Sequence, residues 1–265
     1  MMMSLSSSNY FSKEAMMEYW SVSQFKAFQK CEACGLAEAQ GRYEREQTTS
    51  LLVGSYVDTY FTGEDKGALG RFGLEHPEIF NSRTGALKAD YKHAETMINA
   101  VECQPLMMEY LEGEYQTIKT AELFGVNWKI KMDVYRDGER IVDLKTVKDF
   151  EPLYKEGFGR VSWIEYWGYD IQGAIYQKVE QIASGRDKPL PFYIVAVTKE
   201  KIPDVNVIQI PQHILDTALK LVESQIDRFD LVKCGDIEPK RCESCEYCKQ
   251  TKILTAPSVF EPEEA

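Results

Sequence analysis

The stretch that decides the fold is MDVYRDGERIVDLKT, residues 132–146. Two apolar, β-branched runs flank Asp137-Gly138, a strong hairpin signal. Asp133 lies on the first run, and Asp143 and Lys145 on the second. Residues two apart on a strand share a face, so Asp143 and Lys145 point one way and Val142 and Leu144 the other, apolar way. Loop length decides whether Asp133 joins them. A two-residue turn pairs 133 with 142; a three-residue loop, Asp137-Gly138-Glu139, pairs 133 with 143 and 131 with 145. The odd-length loop is expected, with the two aspartates facing each other. Facing carboxylates repel unless a cation lies between them, and oxygen ligands suit Mg²⁺ or Mn²⁺. Such an ion polarises a phosphodiester and acidifies an attacking water. Lys145 would orient that water or offset charge growing on the phosphate. Spacing alone equally allows a salt-bridged hairpin, Asp143 pairing with Lys131 or Lys145.

Working outward, strands are expected over 115–124, 126–136 and 140–147. A helix follows near 162–184, with Ile164, Trp167, Ile171, Ile175, Val179 and Ile182 at helical spacing. FYIVAVT (192–198) reads as a buried strand, VNVIQI (205–210) as a second, and residues 211–233 as the last helix. Upstream, Ser21 and Gln24 form a capping-box pair with Trp20 and Phe25 at the staple positions. That helix carries Phe25, Phe28 and Cys31. A helix over 48–62 sets Val53, Val57 and Tyr60 on one stripe and Gly54 and Asp58, one turn apart, on the next. Residues 64–86 read as loop and 88–112 as one helix. The order predicts an α/β fold, a central mixed β-sheet flanked by helices, with a helical N-terminal part and a Cys-rich C-terminus. It divides into a loose tail (1–17), a single domain (18–253) and a second loose tail (254–265).

The chain has 265 residues, 28% of them charged, and a net charge of −11, which argues against coating nucleic acid by bulk charge but leaves room for a local basic groove. No run approaches the roughly 18–20 apolar residues of a membrane span, and no basic-then-apolar leader opens the sequence. A cytoplasmic, membrane-free protein is expected. Its seven cysteines are odd in number, which disfavours a disulfide framework.

Asp133…Asp143-Leu144-Lys145 resembles the PD-(D/E)XK nuclease signature. The flanks resemble its RecB-like branch: Tyr169-Asp170-Ile171-Gln172-Gly173-Ala174-Ile175-Tyr176 matches the Q-x-x-x-Y motif, and Ser21-Val22-Ser23-Gln24-Phe25 with Cys31 the N-terminal signature. Gly54-Ser55-Tyr56-Val57-Asp58 aligns with the G-x-x-x-H element, Asp58 replacing the histidine. The resemblance spans about 20–250 and is nearest to phage and prophage exonucleases of the exodeoxyribonuclease-eight-like group. It implies a restriction-endonuclease-like core and metal-dependent hydrolysis of DNA from linear duplex ends, in phage-type recombination or repair beside a single-strand annealing protein. It implies Asp133, Asp143, Lys145, Gln172 and Tyr176 as the catalytic set and Asp58, Asp133 and Asp143 as ligands for Mg²⁺ or Mn²⁺. Asp58 is a hard ligand and shifts preference toward Mg²⁺. Glu122 is a reserve ligand. Ring-shaped homo-oligomers occur among such enzymes.

Cys242, Cys245 and Cys248 form C-x2-C-x2-C, the spacing of ferredoxin-type ligand runs. The resemblance implies a [4Fe–4S] cluster completed by Cys31. Cys31 and Cys34 with Cys242 and Cys245 would instead make a four-thiolate zinc site, and free thiols are the third alternative. Cys103 and Cys234 read as ordinary residues. Lys148, Lys155 and Arg160, with Phe158 and Trp163 among them, are either phosphate contacts or a solvated helix face. Two other functions share these features: a single-strand or flap nuclease of the same fold, and a catalytically inactive DNA-binding module, which Asp58 keeps open.

Overall fold

The computed structural model describes residues 3–63, 65–254, 256 and 257. In chain order the helices are α1 (Lys13–Glu18), α2 (Val22–Lys30), α3 (Glu32–Ala39), α4 (Thr49–Thr62), α5 (Ala68–Glu75), α6 (Ala89–Glu102) and α7 (Pro105–Tyr110). Strands β1 (Glu114–Leu123), β2 (Val126–Arg136) and β3 (Arg140–Val147) follow, then a small hairpin, β4 (Leu153–Lys155) and β5 (Gly159–Val161). The chain continues through α8 (Trp163–Trp167), α9 (Tyr169–Ala183), β6 (Phe192–Thr198), β7 (Val205–Gln209), α10 (Gln212–Cys234) and α11 (Glu246–Gln250).

The main sheet runs β1-β2-β3-β6-β7. Only β3 and β6 are parallel, and α9 lies in the crossover between them. The crossover helix covers one face of the sheet, and α4 and α6 cover the other. On one face Phe25, Phe28, Ile171, Ile175, Ile226 and Phe229 pack against Ile141, Phe192 and Ile194. On the other, Val57, Met97 and Val101 pack against Val142, Leu144 and Val195. This is the expected mixed sheet between helices.

The hairpin register is the expected one. Val134 pairs with Val142 and Arg136 with Arg140, leaving Asp137, Gly138 and Glu139 as the loop. Gly138 takes φ 76°, a left-handed turn conformation that suits glycine. Pairing between the strands stops at Val134–Val142, so neither the expected 133–143 pair nor the 131–145 pair forms. On its other side β2 skips the Gln116–Asp133 pair, and Gln116 sits at φ 53°. Ile130, Met132 and Tyr135 all reach the same core, so side-chain parity flips at Asp133. A kink shared by two strands thus frees the Asp133 side chain from the regular ladder.

Several local expectations are corrected. The helix near 162–184 is two helices, split at Gly168 in the left-handed conformation (φ 65°). The 88–112 helix breaks before Pro105, which lacks the amide to continue it. Residues 64–86 hold α5 and a short 3-10 turn, Pro77–Ile79. Cys31 is not in a helix but is the extended residue (φ −166°, ψ 111°) between α2 and α3. The N-terminal stretch expected to be loose contains α1 and the buried Tyr10, whose carbonyl accepts from buried Lys129. Of the C-terminal tail, 255 and 258–265 lie outside the described residues.

Candidate active site

Strand β3 presents Asp143 toward α9, as the alternation requires. Asp143 is 1% exposed. Its Oδ1 accepts a 2.6 Å hydrogen bond from Gln172 Nε2, and its Oδ2 lies 2.5 Å from Lys145 Nζ. Oδ2 has no hydrogen bond of good geometry, although it is buried. A buried carboxylate oxygen facing only one cation keeps lone pairs for another positive group. Burial works against the charge on Lys145, but Asp143 and Asp133 outweigh it and hold the ammonium above its ordinary range.

Asp133 uses its freed side chain locally. Its Oδ2 accepts from the backbone amide of Leu144 at 2.9 Å, replacing a ladder bond that the diverging strands no longer make. Burial, then the charges of Asp143 and Asp58, push its carboxyl well above the usual range. Asp58 comes from α4 on the far side; Thr62 donates to its Oδ1 at 2.9 Å, and burial raises it too. Gly54 seats α4: a Cβ there would meet Thr146 Oγ1 of β3 at 2.9 Å. The glycine of the sequence motif is thus the contact that brings Asp58 near the D-x-K strand.

Asp58 and Asp133 line two adjoining cavities of about 430 and 360 Å³, which also share Lys26 and Gln172. Lys131, Gln116, Ser21 and Tyr176 line the first; Lys145, Lys199, Ser50 and Tyr169 line the second. Three carboxylates that repel one another around cavities lined with cations form a donor set suited to a hard divalent ion. Their oxygens do not crowd as tightly as the thiolates described below, the set among the described residues whose ligand atoms all lie within 4.8 Å of one another. Tyr176 lines the first cavity with Asp133 and Gln172, and its hydroxyl donates to the Lys131 carbonyl at 2.8 Å, tying α9 to β2. Glu122 is exposed beside the β1–β2 turn, opposite Asn127. Trp163 is a core residue, 5% exposed, and not a surface contact.

Lys26, Gln116 and Lys199 were not singled out in the sequence. Lys26 lies one residue beyond the Ser21–Phe25 signature, and its motif position was the available signal. Burial lowers it to about 8, with Lys145 adding to the shift. Nothing in the local pattern marks Lys199, which donates to the Ser50 carbonyl and hydroxyl, each at 2.8 Å.

The cysteines converge. Sγ atoms of Cys31, Cys242, Cys245 and Cys248 all lie within 4.8 Å of one another, with Cys31 and Cys248 at 3.5 Å. Cys34 is not among them; its thiol faces Glu38 Oε1 at 3.4 Å, so the zinc set built on Cys34 does not assemble. Burial pushes the Cys31 thiol up to about 12, so a thiolate there requires a cation. The four-cysteine set fits a metal. At about 2.3 Å per Zn–S bond, a tetrahedral site spaces its sulfurs about 3.8 Å apart, close to what is seen.

A five-stranded sheet carrying Asp133 and Asp143-x-Lys145 on adjacent strands, with Gln172 on the crossover helix, defines a nuclease of the PD-(D/E)XK superfamily. The chain belongs to the family described as "PDDEXK-like domain of unknown function (DUF3799)", which matches residues 21–251. It is 42% identical to a candidate exonuclease from Eubacterium rectale of known crystal structure, with a TM-score of 0.91 over 97% of each chain. A further solved chain, SSO0001, aligns at 12% identity and a TM-score of 0.26 over 78% of this chain and 87% of its own, too weak to carry an argument. No curated protein matches the chain. No helix among the described residues is long and apolar enough to cross a membrane.

Proposed function

We propose that this protein is a divalent-metal-dependent deoxyribonuclease that removes nucleotides from the ends of linear duplex DNA. The observation that carries this reading is the buried Asp143, its two oxygens held by Gln172 and Lys145, beside Asp133 and Asp58, which line the adjoining cavities. Asp58, Asp133 and Asp143 would hold Mg²⁺ or Mn²⁺, which supplies Lewis acidity toward the phosphate and acidifies a bound water. Gln172 fixes the carboxylate plane of Asp143. Lys145 sets a cation where charge grows on the phosphodiester, and such preorganised groups act strongly in a water-poor site. Lys26 and Lys199, on opposite flanks, are suited to the neighbouring phosphates. Similarity to the Eubacterium rectale protein supports the exonuclease assignment. Phage-type recombination with an annealing partner and a homo-oligomeric ring follow from the family resemblance and belong to the same proposal, as do a cytoplasmic location and a single domain over 18–253.

The four cysteines would hold a structural metal joining α2 and α3 to α11. Their spacing favours one tetrahedral ion over a [4Fe–4S] cluster, in which each thiolate binds a different iron and the sulfurs stand farther apart. Elemental analysis separates the two: one zinc or iron per chain, or about four irons with acid-labile sulfide.

The test of the activity is digestion of end-labelled linear duplex DNA with Mg²⁺ or Mn²⁺. Release of nucleotides from an end supports the reading, and the end that loses label gives polarity. Folded protein that is silent with both metals on duplex, single-stranded and flap substrates overturns it in favour of a binding module.

A further inference from the structure

Beyond the two catalytic cavities lies a third, of about 360 Å³, between α2, the β4–β5 hairpin, α8 and α10. Its walls carry Phe158 at the hairpin tip, 74% exposed, and Trp167, 46% exposed. Tyr166 stacks edge-on against Trp167 with ring centroids 4.9 Å apart. Monomeric surfaces seldom cluster large aromatics without a partner. Lys26, Lys30 and Lys155 line the same cavity, against one acid, Glu165. That acid is already engaged, accepting from Ser162 as the α8 capping box. In a chain of net charge −11, three lysines around exposed rings are a local reversal of sign.

The cavity also borders the candidate active site at Lys26. Lys26 lines all three cavities, and its ammonium donates to the Trp167 carbonyl at 2.8 Å. Lys155 sits 5.1 Å from the Phe158 ring centre, so charge and ring face are presented together. Alternating cations and ring faces form the surface chemistry that holds a single strand: lysines take phosphates while flat rings take unstacked bases. A paired duplex hides its base faces and has no use for the rings.

We infer that this groove binds an unpaired stretch of the DNA strand beside the cleavage site, Phe158 and Trp167 stacking its bases and Lys155 and Lys30 holding its phosphates. The inference rests on the nuclease reading and adds to it a substrate feature: a duplex with a single-stranded tail is held more tightly than a blunt one.

The test uses the full-length protein, with Ca²⁺ replacing Mg²⁺ to limit cleavage, and a labelled duplex with or without a short single-stranded tail. Wild type should bind the tailed duplex more tightly. Phe158→Ala and Trp167→Ala should each weaken tailed binding by roughly tenfold, the scale of one lost base stack, and leave blunt binding in place. Both side chains are exposed, so folding is not at stake; circular dichroism checks it. A fluorescent purine analogue in the tail should be quenched by wild type and less so by either variant. Equal affinity of wild type for tailed and blunt DNA, or variants that keep the tail preference and the quenching, overturns the inference. Nuclease activity without a tail preference sinks this inference alone, whereas no cleavage of any DNA sinks the functional reading, and the binding assay reads out either way.

Discussion

Asp143 spends its buried charge on two partners of different kinds. Lys145 compensates its charge, and Gln172 fixes its direction. Loss of each should therefore fail differently. Lys145→Ala should lower the Mg²⁺-dependent rate on linear duplex by about 10²–10³-fold, the cost of one preorganised charge-stabilising group. Gln172→Ala should cost about 10–100-fold and show chiefly as a higher Mg²⁺ requirement, since it only orients a ligand. A metal titration of the initial rate distinguishes the two. Asp58→His restores the residue expected from the RecB-like motif; it should raise the Mn²⁺-to-Mg²⁺ activity ratio, because imidazole prefers the softer ion. At this scale the sequence was highly legible. Two-residue spacing placed Asp143 and Lys145 together, and the odd loop put Asp133 in register with Asp143, although the ladder stops one pair short of them. The kink at Asp133 was not legible, because it depends on Gln116 in another strand adopting a left-handed backbone, which no local pattern announces.

Among the elements, the five strands of the main sheet were read nearly to the residue, since β-branched alternation is a short-range signal, whereas the three-residue strands β4 and β5 are too short to show one. The helices were less so. Gly168 and Pro105 are both visible as breakers, yet the apolar stripe continues across each break and masks it. Gly54 is legible only with the fold in hand: it lets α4 sit against Thr146. Gly54→Ala should therefore cost activity through Asp58, with at most a modest change in melting temperature because alanine favours the helix itself. Kinetics and thermal melts on the same variant check this. At the other end of α9, Glu180 is fully buried and bonded to Tyr135, Ser184, Arg186 and Lys119. Burial raises its carboxyl, but those donors prevail and hold it below the usual range. Its contribution to stability is thus present at neutral pH and fades as acid protonates it. Glu180→Ala should destabilise by about 1–3 kcal/mol, measured by urea unfolding, since the buried Tyr135 hydroxyl loses an acceptor while the partly exposed Lys119 and Arg186 can turn to water.

The whole molecule is acidic outside and holds two lysines deep within. Burial lowers Lys233 to about 7 and Lys129 to about 8. An unfolded lysine titrates near 10.4, so above these values the unfolded chain binds more protons than the native one. Stability should then rise with pH from about 7 toward 10, the full penalty being present below 7. Melting temperatures across that range test it, and Lys233→Met should flatten the rise. DNA affinity should fall steeply with salt, because a few lysines in an acidic chain do the binding. Cys248→Ser should lower both bound metal and melting temperature. The thiolate centre was legible in its C-x2-C-x2-C half from spacing and in Cys31 from the resemblance, while the extended backbone that holds Cys31 between two helices was not.

That centre also has a history in time. Cys31 is made early, and its three partners follow some 210 positions later. At roughly 5–20 residues per second on the ribosome, Cys31 waits on the order of ten to forty seconds for them. During that interval the nascent chain carries an unpaired Cys31-x2-Cys34, open to oxidation or to a stray ion. The site can close only after Cys248 has been made, so a ribosome that stalls between β7 and Cys248 leaves a chain whose sheet strands are all made and whose seam is open.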